Sequence, residues 1–323
     1  MSQPAVTLLM PVLNGMPFLP ETLESIERQD YKNWEIIVWD NGSTDGTLEE
    51  LHRWIPSRLP GRVISGEPLK LGPSLARLVE EARSELCARI DADDVMYPER
   101  LRMQVAFMQE HPEVGVAGSE VEFIDNEGNV RPHTTPYATQ DADLRWLVRW
   151  INPISHPSVI FRRSVVMNVG NYRDLKPFED HDLWFRVGLV AELANLPQVL
   201  LKYRQHAKST MGQANSKYHT YFDSMAELNA DDLFTGFSSQ EALRLRQKSI
   251  HNSDAKVTLG DLSSYRRAAT NTALHLQKPK MYFRVTKAYK MFFKEMTRNY
   301  LLQSRAINAV VTLRQRMLSK SKT

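Results

Sequence analysis

The first hundred residues alternate two hydrophobic periods, and this alternation restricts the fold more than any other feature of the chain. Short apolar runs at "VTLLMPVL" (6–13), "EIIVWD" (35–40), "RVISG" (62–66) and "LCARID" (86–91) predict buried strands. Between them Leu19, Leu23 and Ile26, and then Leu48, Leu51 and Ile55, recur at helical spacing, and a charged helix is expected from about Ser74 to Ser84. Pro20 fits a first helical turn, and Pro98 opens another helix with Leu101, Val105 and Met108 on one face. Repeated βα alternation predicts an α/β fold: a mainly parallel sheet with helices on both faces and ligands bound beyond the carboxyl ends of the strands.

Further along, "VGVAGSEVEFID" (114–125), a hairpin-like "DNEGN", a helical piece near 140–150 and a strand over "HPSVIFRRSVV" give the later part an α+β character. Strand signals fade from about Gly212. "YHTYFDSMAELNADDLF", "SSQEALRLRQKSI" and "LSSYRRAATNTALHL" read as helices, so a principal domain over 1–211 and a helical annex over 212–323 are expected. No basic leader or cleavage site opens the chain, and no run reaches the roughly 18 apolar residues of a membrane span, so a cytoplasmic protein is expected. The single cysteine, Cys87, excludes an intramolecular disulfide and reads as a small core residue.

Charge is uneven. Over 278–323 there are twelve Lys or Arg against one acid, Glu295, so this tail carries +11 and the remaining 277 residues −8. Val285, Tyr289, Phe292, Met296 and Tyr300 share one helical face, with Lys287, Lys290, Lys294 and Arg298 opposite. Two readings stay open: the apolar face packs on the annex, or the helix attaches peripherally to an anionic membrane surface, the inner face of the plasma membrane. An acidic body argues against nucleic acid as partner.

Three stretches carry chemistry. In "ARIDADDVMYPERL" (88–101), Asp91, Asp93 and Asp94 crowd at the end of a strand, where their repulsion calls for a positive charge. Mg²⁺ or Mn²⁺ held by one or two carboxylates and substrate phosphates would supply it; a solvated acidic loop is the plain alternative. In "WDNGSTDGT" (39–47), Asp40 ends a second strand at the same rim, and Asn41 to Gly46 form a good turn. In "PFEDHDLWFRVGLV" (177–190), Glu179 and Asp180 stand at a helix start, where unpaired N–H groups stabilise acids. Asp180 could be a general base if Glu179 and Asp182 raise its proton affinity.

With "VTLLMPVLNGMPFLPETLESIERQDYKNWEIIVWDNGSTDGT", "RIDADDVMYPERL", "NPISHPSVIFRR", "EDHDLWFRV" and "YRQHAKST" in this order, residues 5–210 resemble the family 2 glycosyltransferases of the Rossmann-like GT-A fold. The resemblance implies an inverting transferase that moves a sugar from a nucleoside diphosphate sugar, with a UDP-sugar the leading donor, to an acceptor hydroxyl. It implies a saccharide or lipid-linked acceptor and a role in surface polysaccharide or glycolipid assembly. Pro11, Asp40, Asn41, Arg77 and Asp91 fall at donor-nucleotide positions, Asp91 toward the ribose. Asp93, Asp94 and His206 fall at metal positions, Asp180 on the catalytic base, and His156, Glu179 and Asp182 near the sugar and acceptor.

Three departures stand out. Asn41 replaces an acid that reads the base in relatives; the segment between Gly72 and Asp91 is about two residues short, which bears on Arg77; and Ser84 replaces a glycine, a change read as structural. A nucleotidyltransferase and an inactive binding or membrane-docking module are the competing expectations. The first would carry a basic Gly-rich loop, and "PVLNGMPFLP" has no Lys or Arg.

Overall fold

The computed structural model describes residues 5–132, 138–175, 177–206, 229, 236–238, 240–241, 244, 258–276, 289–290, 293–294 and 296–297. The chain divides into two compact units, Met1–Met225 and Ala226–Thr323. The first unit runs β1 (Val6–Val12), α1 (Leu19–Glu27), β2 (Trp34–Asp40), α2 (Thr47–Trp54), β3 (Gly61–Ser65), α3 (Leu71–Glu81), β4 (Leu86–Arg89), β5 (Val95–Met96) and α4 (Arg100–Glu110). It continues through β6 (Val114–Ile124), α5 (Asp141–Leu147), β7 (Ile160–Arg162), α6 (Arg163–Asn168), α7 (Glu179–Val190) and β8 (Glu192–Arg204).

The strands form one eight-stranded sheet in the order β3-β2-β1-β4-β7-β6-β8-β5. Pairing is parallel for β1 with β2 and β4, β2 with β3, and β6 with β8. It is antiparallel for β4 with β7, β6 with β7, and β5 with β8. Alternate residues of the central strands serve opposite layers. Leu8, Met10, Ile36, Val38 and Ala88 pack with Leu19, Leu23 and Leu51 of α1 and α2, and Leu9, Ile37 and Cys87 are buried on the other face. There α3 packs on β1 and β2 and contributes the buried Leu75, Leu78 and Val79. A buried aliphatic side chain contributes about 1.5–3 kcal/mol, so these two layers fix the strand ends on which the site stands.

Pro11 lies inside β1, opposite Trp39, although proline removes a ladder donor. Leu9 faces β4, where its carbonyl accepts from Ile90, and Pro11, two residues on, faces the same way. β4 leaves the ladder at Arg89, paired with Leu9, so no acceptor is lost at Pro11.

One expectation is corrected, and one strand had no expectation. "HPSVIFRRSVV" is not one strand: His156–Ser158 is a 3-10 turn, only Ile160–Arg162 is extended, and α6 begins at Arg163. The paired arginines end the strand, Arg162 donating to the carbonyls of Val114, Met108 and His111 and Arg163 to that of Val79. The thirteen-residue β8 gave no clear strand signal. Its pairing jumps from Ser119↔Leu196 to Glu120↔Val199, so Pro197 and Gln198 bulge out and break the alternation.

In the second unit, α8 (Leu259–His275) begins with a capping box between Thr258 and Asp261. Tyr265 of α8 is fully buried and stacks on Tyr289 at 5.1 Å. Tyr289 and Met296 are buried while Lys290 and Lys294 are exposed, so the described part of the basic segment has its apolar side packed within its own unit. Val285, Lys287, Phe292, Arg298 and Tyr300 lie outside the described residues, as does most of the two preceding expected helices. No helix among the described residues is long and apolar enough to cross a membrane.

Candidate active site

Because β1, β2 and β4 are parallel neighbours, their carboxyl ends open onto one rim. Asp40, almost fully buried, ends β2 and accepts from the Gly42 N–H at 3.2 Å and the Ser43 N–H at 3.3 Å. The turn that follows has φ +84° at Gly42 and +93° at Gly46, values that glycine adopts without strain. It interlocks with the loop after β1: Thr44 N–H donates to Asn14 Oδ1, Gly15 N–H to Thr47 Oγ1, and Met16 N–H to Asp45 Oδ2. "STDGT" is thus a clasp between two loops as well as a turn.

Asn41 is a brace. Its Oδ1 accepts from Leu69 N–H at 2.9 Å and Ser74 Oγ at 3.0 Å, and its Nδ2 donates to the Val12 carbonyl at 3.3 Å. A carboxylate could not make the last bond, a local reason for an amide at this position. Ser84 is buried and accepts from Thr7 Oγ1 at 2.9 Å, which tethers the start of β4 to β1. Arg77 lies exposed on α3 and pairs with Glu80 at 3.0 Å; no described hydrogen bond or ion pair joins it to the aspartates.

The three aspartates after β4 present carboxylate oxygens within 4.8 Å of one another. Each is held by a different group. The buried Arg89 guanidinium binds Asp91, His206 Nε2 lies 2.9 Å from Asp93 Oδ2, and the Arg204 backbone N–H donates to Asp94 Oδ1 at 2.8 Å. Burial pushes Asp91 up to about 6, Arg89 opposing and the Asp93 charge adding to the rise. Burial likewise raises Asp94, with Asp93 and Asp91 adding to it. Asp94 Oδ2 is buried and has no hydrogen-bond partner among the described residues. Crowded, under-satisfied oxygen donors beside an imidazole suit a hard divalent cation, so the residues fit Mg²⁺ or Mn²⁺.

Arg204 gives this loop its shape. It is 1% exposed, and its guanidinium donates to the carbonyls of Asp93, Asp125 and Asn126 and to Glu21, while lying 4.6 Å from the Phe18 ring. Removing such a buried, fully bonded charge typically costs about 3–5 kcal/mol. β8 delivers this residue, and so places His206 beside Asp93. Neither Arg204 nor Arg89 was singled out in the sequence, although a charged residue inside the apolar "LCARID" was a usable signal.

At the start of α7, Asp180 is 9% exposed. Its Oδ2 accepts from Asn152 Nδ2 at 2.7 Å and its Oδ1 from the His181 N–H at 2.7 Å. Asp180 is raised above the ordinary carboxylate range by burial, with these hydrogen bonds and Arg89 opposing. Burial therefore takes the part that Glu179 and Asp182 were expected to play. Asp182 is fully buried between Arg173 at 3.2 Å and Arg186 at 2.6 Å, a structural triad. Glu179 is buried, and one oxygen of it lies within 4.8 Å of ligand atoms of both His156 and Asp180. Arg89 feels the charges of Asp91, Asp94 and Asp180, so it links the aspartate cluster electrostatically to the α7 acid.

A family model described as glycosyl transferase family 2 matches residues 7–170. The amylovoran biosynthesis glycosyltransferase AmsE of Erwinia amylovora is 33% identical over 188 residues, 58% of this chain and 70% of that protein. The O-antigen biosynthesis glycosyltransferase WbnJ of Escherichia coli is 25% identical over 241 residues, 72% of this chain and 92% of that protein. Among solved structures, S. aureus TarS 1–349 in complex with UDP-GlcNAc superposes with a TM-score of 0.61 at 19% identity, covering 91% of this chain and 89% of that one. Against a longer TarS chain, this chain spans about half, 54%. Mannosyltransferase PcManGT from Pyrobaculum calidifontis, in complex with GDP-Man and Mn²⁺, gives a TM-score of 0.56 at 18% identity, covering 93% and 88%. The structural likenesses carry the fold, which is the GT-A arrangement. The chain belongs to glycosyl transferase family 2 and is a glycosyltransferase, which sets aside the nucleotidyltransferase expectation.

Proposed function

We propose that this glycosyltransferase is inverting, draws on a nucleoside diphosphate sugar and extends a cell-surface polysaccharide or glycolipid. One observation carries the reading: an under-satisfied aspartate cluster and a buried carboxylate of raised proton affinity, Asp180, both lie within the field of one buried cation, Arg89. Asp40 and Pro11 would border the nucleoside, with Asn41 shaping that wall from behind and Arg77 left to the diphosphate only through a side-chain swing. Asp93, with Asp94 and His206, would hold Mn²⁺ or Mg²⁺, and Asp91 would reach the ribose. When bound, the metal neutralises charge developing on the departing diphosphate.

Asp180 receives the proton of the acceptor hydroxyl as its oxygen attacks the anomeric carbon on the face opposite the leaving group. The raised proton affinity makes it a better base than an exposed aspartate, and general-base help of this kind is worth about 10²- to 10⁴-fold. His156 and Glu179 border the sugar and acceptor, and Asp182 supports the helix that carries the base.

A UDP-sugar is the leading donor because the TarS fold neighbour was solved with UDP-GlcNAc; GDP-mannose with Mn²⁺ in PcManGT keeps a guanine donor in the test. The amylovoran and O-antigen assignments of relatives support a saccharide or lipid-linked acceptor. A cytoplasmic site of action fits such chemistry, and any attachment to an anionic membrane would rest on exposed lysines such as Lys290 and Lys294. Calorimetric titration with UDP-, GDP- and dTDP-sugars, with and without Mn²⁺, tests the proposal. Metal-dependent binding of one class is expected; failure of all three would overturn it.

A further inference from the structure

His156 and Tyr172 form a buried pair to which the reaction outlined above gives no part in the proton transfer. His156, 8% exposed, sits in the 3-10 turn before β7, and Tyr172, 6% exposed, lies in the loop after α6. His156 Nε2 is 3.0 Å from the Tyr172 hydroxyl, and its Nδ1 is 3.7 Å from Asp180 Oδ2. The rings are fixed by Trp184, one turn after Asp180 on α7: His156 stands edge-on to it at 5.8 Å and Tyr172 at 6.3 Å.

The roles of the two ring nitrogens follow from this geometry. Tyr172 is buried and keeps its proton, and burial also holds His156 neutral. If the tyrosine O–H donates to Nε2, the single ring proton must sit on Nδ1, aimed at Asp180. The opposite tautomer would turn a lone pair toward a carboxylate. Oδ2 then accepts from Asn152 Nδ2 and faces the His156 Nδ1–H electrostatically at 3.7 Å, beyond hydrogen-bond length, whereas Oδ1 accepts the His181 N–H as its one hydrogen bond among the described residues.

We propose that Tyr172 and His156 are positioning residues for Asp180: the tyrosine selects the Nδ1–H tautomer, and the imidazole orients the carboxylate so that Oδ1 receives the acceptor's proton. This rests on reading Asp180 as the base. Buried His181 turns its Nε2 to the Val148 carbonyl at 2.7 Å, whereas His156 turns its two nitrogens to side chains, Nε2 to Tyr172 and Nδ1 toward the acid at 3.7 Å.

Two readouts test the pair on the full chain. With ¹⁵N-labelled histidine, the signal absent from His156→Gln should show a protonated Nδ1 and a bare Nε2, and Tyr172→Phe should shift it toward the Nε2–H form. A protonated Nε2 in the unaltered protein would overturn the proposal. In nucleoside diphosphate release from the best of the UDP-, GDP- and dTDP-sugars, Tyr172→Phe should lower kcat about tenfold with donor KM unchanged, since misorientation costs rate and not binding. It should add nothing in an Asp180→Asn background, and His156→Asn, which keeps a donor near Nδ1, should retain more activity than His156→Ala. An equal loss in the Asp180→Asn background, or no loss in the unaltered one, would show a packing role only. Undiminished turnover by Asp180→Asn would instead sink the base assignment while leaving the tautomer result standing.

Discussion

Two strand ends deliver acids to the same rim, and they are finished in opposite ways. Asp40 is closed off by its own turn: backbone N–H groups occupy both oxygens, Asn41 braces the strand behind it, and Asp45 and Thr47 clasp the neighbouring loop. Asp91, Asp93 and Asp94 are held from outside by Arg89, His206 and Arg204, and keep oxygen valence to spare. A turn that satisfies itself can serve as a wall. A cluster that cannot, with two of its three acids raised by burial and mutual repulsion, is built to receive charge.

The contrast breaks most visibly at Asp93. Asp93→Asn should abolish Mn²⁺-dependent donor binding by calorimetry and cut turnover by about 10²- to 10³-fold, the loss typical of one lost electrostatic contact at a transition state. Retained metal-dependent turnover would move the ligand role to Asp91 or Asp94.

A smaller effect tests the closed side. Asn41→Asp removes the donor to Val12 and sets a carboxylate against that carbonyl. Thermal unfolding should reveal a loss of about 1–3 kcal/mol, the cost of a buried polar group left without its partner. An unchanged midpoint would mean that the brace is dispensable.

The smallest effect is in pH. Asp91 binds a proton more readily folded, at about 6, than at its ordinary value near 3.8. The stability it contributes is therefore full below about 3.8 and is lost as pH rises through about 6. Between pH 5.5 and 7.5 the metal-free chain should lose midpoint relative to Asp91→Asn, by about 2–4 °C for each kcal/mol involved. Added Mn²⁺ should recover more at pH 7.5 than at 5.5; equal recovery at both would contradict the crowding of charge.

Much of this was legible in the sequence, and the gaps have physical causes. Apolar runs gave β1, β2 and β4, because a strand buried on both faces has few polar positions to confuse the pattern, and the half-buried edge strand β3 was legible from the short Val63-Ile64 pair. β8 was missed because Pro197 and Gln198 bulge out of its pairing with β6, and β5, two residues long, has no period to detect. The acids announced themselves by position after strands. Their supports did not: Arg204 reaches Glu21 across 183 residues and Asp93 across 111, Asn152 reaches Asp180 across 28, and no local spacing records such contacts. Asp182 shows the converse, an acid beside the candidate base that the fold spends on Arg173 and Arg186.

The central claim is that Asp180 takes the acceptor's proton during sugar transfer. Asp180→Asn, compared with the unaltered chain for donor affinity by calorimetry and for transfer rate under saturating donor, addresses it most directly. The expected result is donor binding unchanged within about twofold and transfer reduced by about 10²- to 10⁴-fold. Transfer at the unaltered rate, with binding intact, would contradict it.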